Sequence, residues 1–134
     1  NLMEFKKCSI AGIEYGRGYC EVQRAIARRQ GRQLPPDPKV PPGLDPQFNF
    51  VDERLLWGKW KESASAESIR LLMLNLSLNH TVQVEYASHD SKDPIYQAES
   101  PDEGAFVLAA RNLGFSFKSR MMKDITVCVA EGGE

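Results

Sequence analysis

The period with which apolar and polar residues alternate along the chain changes several times, and each change marks an element. Leu2 to Ile10 is rich in strand formers, Ala11-Gly12 offers a turn, and Ile13-Glu14-Tyr15 follows, which predicts an opening hairpin. Tyr19, Val22 and Ile26, with Ala25 beside them, recur at helical spacing, while Arg24, Arg28, Arg29 and Arg32 fall mostly off that face. This predicts a short amphipathic helix. Ser63 and Ser65 are candidate N-caps for a helix from about Ala66 to Asn79, whose stripe of Ile69, Leu72, Met73 and Leu76 is widened by Leu71, Leu74 and Leu78, as in a central buried helix. Val82, Val84 and Tyr86 alternate with Gln83 and Glu85, Ser88 to Lys92 reads as a turn, and Ile95 to Ala98 as the returning strand. A last helix enters at Ser100 and leaves at Gly114, followed by Phe115 to Phe117 and by Ile125, Val127 and Val129. The order predicts an α+β fold, a mainly antiparallel sheet with flanking helices.

Six of the eight prolines lie between Pro35 and Pro46. Each removes a backbone donor and restricts its predecessor, so residues 34–47 are read as a proline-rich surface loop within one domain. Beyond it, Phe48, Phe50, Leu55, Leu56, Trp57 and Trp60 concentrate large apolar side chains. A length of 134 residues with 42% hydrophobic content suffices for one core. The 17 basic and 18 acidic residues nearly cancel, so no global field points to nucleic acid or an anionic membrane surface. Cys8, Cys20 and Cys128 lack close pairing, and only His80 and His89 could join them, which argues against a structural zinc and for free buried thiols. The apolar run Ile69 to Leu78 falls short of the roughly 20 residues that cross a bilayer. Asn1-Leu2-Met3-Glu4-Phe5 has neither an initiator methionine nor a signal-peptide layout and reads as a cut end.

The candidate chemistry lies at Ser100-Pro101-Asp102-Glu103-Gly104-Ala105. Ser100 and Glu103 have the spacing of a capping box, in which the serine hydroxyl accepts from the Glu103 amide and the Glu103 carboxylate reaches back to the serine amide. Pro101 suits the first helical position. On local physics alone, Glu103 is a helix cap.

The longer run changes that reading. Tyr96-Gln97-Ala98-Glu99-Ser100-Pro101-Asp102-Glu103-Gly104-Ala105-Phe106-Val107, followed by Ala109-Ala110-Arg111-Asn112-Leu113-Gly114-Phe115, resembles the nucleotide-binding domain signature of phospholipid-transporting P-type ATPases, the type IV subfamily. Asn1 to Cys8, Tyr15-Gly16, Phe48 to Leu56 and Asn79-His80-Thr81-Val82 fall in the family's order. The resemblance implies that residues 1–134 are a partial nucleotide-binding domain of an integral membrane protein, facing the cytosol, with residues 1–10 the strand leading in from the phosphorylation domain. It implies ATP as the ligand, with Glu103 lining the adenine pocket, where a carboxylate can accept from the exocyclic amine. The phosphorylated aspartate would precede Asn1. The adenine-stacking phenylalanine and the lysine of the Lys-Gly-Ala motif would follow Glu134, and Mg2+ would be bound outside the chain. Within the chain, therefore, no catalytic or metal-ligating residue is expected. The parent's phospholipid substrate, and any accessory subunit, would engage segments outside this sequence.

Neighbouring residues have plainer readings. Asp102 complements the helix dipole, and Gly104 and Ala105 permit the close approach either of a base or of a neighbouring strand. Phe106, Leu113 and Phe115 are predicted to be core, His80 to be a hydrogen-bonded structural residue, and the arginines of residues 17–32 to be a solvated face. The acceptor patterns at Asn75 and Asn79 would go unused in a cytosolic chain. Two other functions remain open: the nucleotide domain of an ion-pumping P-type ATPase, and a non-catalytic interaction module with Phe48 to Trp60 as an exposed aromatic patch.

Overall fold

The computed structural model describes residues 3–88 and 94–130. The expected lead-in at Asn1-Leu2, most of the turn over Ser88 to Lys92, and His89 lie outside the described residues. Strands β1 (Cys8–Ile10) and β2 (Ile13–Tyr15) pair antiparallel across Ala11-Gly12, as the pattern predicts. Both turn residues have positive φ, the sign pattern of a type I′ turn whose twist matches the strands it joins. Helix α1 (Glu21–Arg29) follows, with Gln23 Oε1 accepting from the Cys20 amide at 2.9 Å.

No helix or strand occurs from there to Leu56, which accords with the proline spacing. A 3-10 segment, Leu56–Glu62, is broken at Trp57 and Gly58, both left-handed. Then come helix α2 (Ala66–Leu78), strands β3 (Gln83–Glu85) and β4 (Ile95–Gln97), helix α3 (Pro101–Asn112), and strands β5 (Phe115–Arg120) and β6 (Ile125–Val129). Among the described residues all strand pairing is antiparallel, in three separate two-stranded ribbons: β1 with β2, β3 with β4, and β5 with β6.

The main core forms where α2 and α3 pack on each other and on β5. Ile69 and Met73 of α2, Ala109 and Ala110 of α3, and Phe115 meet Phe5, Phe48, Phe50, Leu55, Leu56 and Trp60. A second, smaller cluster joins Val82, Val107 and Phe117. It brings the β3–β4 ribbon onto β5, and two tyrosines fasten it there: Tyr96 Oη donates to the Phe117 carbonyl at 2.9 Å and Tyr86 Oη to that of Lys118 at 2.6 Å. The Tyr96 ring is half-buried and Tyr86 stays exposed, and in both the hydroxyl finds a carbonyl.

Several expectations are corrected. The aromatic stretch is not an exposed patch: Phe48, Phe50, Leu55, Leu56 and Trp60 are buried, and Trp57 alone of the named residues stands out. The premise of the interaction-module reading is thereby removed. Phe106 is 42% exposed rather than core, because the inward face of α3 is taken by Val107, Ala109 and Ala110. The apolar stripe of α1 does not face the core either, since Val22 and Ile26 are exposed and Ala27 is buried in their place. Cys128 is exposed, and Cys8 and Cys20 are only partly covered. Ser65 makes no side-chain cap to α2; Ser63 Oγ instead accepts from the Ser65 amide at 3.0 Å, which tightens the approach to the helix.

Candidate functional site

Glu103 sits in the first turn of α3, whose start has the expected form: Pro101 occupies the first turn and Ser100 is extended. The capping box, however, does not form. Ser100 makes no side-chain cap bond, and the Glu103 carboxylate points away from it to Thr81, 22 residues earlier. Oε2 of Glu103 accepts from the Thr81 hydroxyl at 2.6 Å and from the Thr81 amide at 3.3 Å. Two donors on one oxygen outcompete the single amide of Ser100, and the geometric reach of a glutamate allows either.

Thr81 is held in turn by His80, which lies between α2 and β3. Nδ1 of His80 accepts from the Val82 amide at 3.1 Å and faces an Arg120 nitrogen at 3.3 Å, so its proton resides on Nε2, which donates to the Ser77 carbonyl at 2.9 Å. Arg120, at the end of β5, also donates to the His80 carbonyl. The imidazole meets the Phe117 ring edge-on at 4.5 Å. Burial first, and the Arg120 cation second, hold His80 below its ordinary pKa, against the raising pull of the Ser77 carbonyl and of Glu103. His80 is therefore a neutral structural residue, as its isolation in the sequence suggests.

Glu103 is shifted downward as well, which for a carboxylate favours the charged form. The Thr81 hydroxyl and amide, with smaller contributions from His80 and Arg120, draw its pKa below the usual glutamate value. At neutral pH it is an anion with acceptor capacity only. Both of its bonds fall on Oε2, and Oε1 accepts no hydrogen bond from the described residues.

The remaining motif residues divide between the two flanks of α3. Gly104 is explained by a neighbour, since a Cβ there would meet the Ala98 Cβ at 3.2 Å. Pro101, Gly104, Ala105, Leu108 and Arg111 recur at helical spacing and line a groove of about 550 Å3 with Pro94, Ile95, Tyr96 and the Asp45 to Gln47 segment. Glu103 is on the other flank, above Val107, and does not line that groove. Asp102 is exposed in the first turn, where it complements the dipole. Among the described residues no group of three His, Cys, Asp or Glu side chains could hold a metal ion.

Sequence spacing gives no sign that Thr81 is the partner of Glu103 or that Arg120 braces the His80 turn beside it. Asn79-His80-Thr81-Val82 stands as a separate segment in the sequence, and nothing in local spacing connects it to residue 103.

With this geometry in place, the sequence comparisons decide the family. Probable phospholipid-transporting ATPase 12 of Arabidopsis thaliana is 42% identical over 135 residues, covering 95% of this chain and 11% of the relative. Phospholipid-transporting ATPase 10 of the same plant is 43% identical over 136 residues, covering 94% of this chain and 11% of that protein. The chain corresponds to a segment of a phospholipid-transporting P-type ATPase. The match extends across kingdoms: probable phospholipid-transporting ATPase IM of Homo sapiens is 40% identical over 128 residues, covering 95% of this chain and 10% of the relative. The chain thus spans about a tenth of the length of these relatives. No family model matches it. No helix among the described residues is long and apolar enough to cross a membrane.

Proposed function

We propose that this chain forms part of the nucleotide-binding domain of an ATP-driven phospholipid transporter and that Glu103 contacts the adenine end of ATP. The observation that carries the reading is the state of that side chain. It is ionised and partly exposed, and it is fixed through Oε2 while Oε1 accepts no hydrogen bond from the described residues. An oriented lone acceptor suits the exocyclic amine of adenine, and a carboxylate already held in place loses little freedom when it binds.

In this reading the residues here position ATP rather than react with it. The parent would transfer the γ-phosphoryl group to an aspartate, and Mg2+ would neutralise the phosphate charge there; both lie outside this chain. ATP turnover would drive phospholipid toward the cytosolic leaflet, with this domain in the cytosol and an accessory subunit, where one exists, bound elsewhere on the parent. The names of the relatives support lipid rather than an ion as cargo.

Stacking on an aromatic ring contributes roughly 1 to 3 kcal/mol per base in nucleic-acid binding proteins. The family's stacking phenylalanine is expected outside this chain, so the chain by itself should bind ATP weakly. Titration of ATP into the chain tests the role of Glu103. Glu103→Ala should abolish what binding there is, and Asp102→Ala should leave it in place. Tight binding that survives Glu103→Ala would sink the assignment.

A further inference from the structure

We infer that Thr81 is a specificity-determining positioning residue: by occupying Oε2 of Glu103 it leaves a single acceptor, which suits the one-amine edge of adenine and disfavours guanine. The inference rests on the adenine contact proposed for Glu103 and adds what selects the base.

The geometry makes Thr81 more than a passing neighbour. Its hydroxyl and its amide converge on the same carboxylate oxygen, at 2.6 and 3.3 Å. The backbone presenting them is fixed on both sides. The buried His80 ring accepts from the Val82 amide on one side and donates to the Ser77 carbonyl on the other, and Arg120 bonds the His80 carbonyl. Thr81 therefore latches the turn between α2 and β3 to the first turn of α3, and the rotation of the carboxylate is set by two donors on a rigid segment.

The chemical consequence follows from the edges of the two purines. Guanine presents two adjacent donors, a ring N–H and an exocyclic amine, which a carboxylate with both oxygens free accepts in a bidentate pair. Adenine presents one exocyclic amine beside a ring nitrogen that is itself an acceptor. With Oε2 committed to Thr81, Glu103 offers one oxygen, enough for adenine and too little for the guanine pair. A site that matches only one of the guanine donors forgoes the second bond of the bidentate pair, which removes the advantage guanine would have over adenine.

The test uses the transporter that carries this segment, with ATP and GTP as alternative substrates. Thr81→Val keeps the shape and removes the hydroxyl, and Thr81→Ser restores it. Thr81→Val is expected to lower the ratio of kcat/KM for ATP to that for GTP by about three- to tenfold, through KM, with Thr81→Ser close to the native ratio. Glu103→Ala should weaken ATP use in the same background. If Thr81→Val leaves the ratio unchanged while Glu103→Ala raises KM for ATP, the latch is refuted and the adenine contact stands. If Glu103→Ala changes neither substrate's KM, the adenine contact fails and takes this inference with it. A purely structural Thr81 would affect both nucleotides alike, which would also overturn the proposal.

Discussion

The backbone amide of Gly16 donates at 2.8 Å to Oδ2 of Asp52, a side chain with no exposed surface. The same carboxylate accepts from the Arg54 amide at 3.0 Å and from its guanidinium at 2.9 and 2.7 Å, and Arg54 lies over the Tyr15 ring. One buried acid thus ties the β1–β2 hairpin to the segment that opens the aromatic core. Removing it strands the Gly16 and Arg54 amides, so Asp52→Ala should destabilise the fold by about 3 kcal/mol in urea unfolding. Gly16→Ala should be at least as severe: its φ is 112°, and a Cβ would lie 2.3 Å from the Lys6 carbonyl oxygen.

Asp52 also sets an acid limit on stability. Burial acts to raise its pKa, but the Arg54 guanidinium and the Gly16 and Arg54 amides together outweigh it, and the net shift is below the ordinary value of 3.8. As pH falls, the unfolded chain takes up the proton first. The contribution of Asp52 is therefore fully present above the ordinary value and disappears as pH falls through the folded one. Unfolding free energies measured from pH 6 downward should decline across that window, and Asp52→Asn should flatten the decline.

The turn between β1 and β2 can be improved. Ala11 sits at φ 51° beside Gly12 at 81°, a left-handed position that alanine occupies with strain and asparagine tolerates. Ala11→Asn should raise stability by about 0.5 to 1 kcal/mol, read as an increased melting temperature. An unchanged or lowered melting temperature would contradict the strain.

Thiol reactivity should separate two of the cysteines. Burial, aided by the negative charge of Asp52, pushes the Cys8 thiol up to about 11, while Cys128 is exposed on β6. At pH 8 only about one Cys8 in a thousand is thiolate, so alkylation resolved by peptide mass should find Cys128 labelled well before Cys8. Asp52→Asn, where it folds, should narrow the gap.

How much of this was legible beforehand depends on the range of the interaction. Strand and helix positions follow from apolar periodicity, and the proline spacing accords with the lack of helix or strand between Arg29 and Leu56. What failed were local patterns asked to settle tertiary questions. Ser100 and Glu103 have capping-box spacing, yet the glutamate turns to Thr81, because the His80 turn delivers two donors that the sequence pattern does not place near α3. Cys20 and Gln23 carry a box-like contact that their residue types gave little reason to expect. Val22 and Ile26 have the right period to face a core, but the space beneath α1 is taken at Ala27. For the candidate site, the resemblance singled out Glu103 and the geometry added Thr81, His80 and Arg120 around it.

An amide-resolved NMR titration of the chain with ATP tests the central claim most directly. The account predicts shifts centred on Glu103 and Thr81, on the flank where Oε1 of Glu103 accepts no hydrogen bond from the described residues. Shifts confined to the other flank of α3, at Ile95, Leu108 and Arg111, or to the basic segment near Arg28, would contradict it.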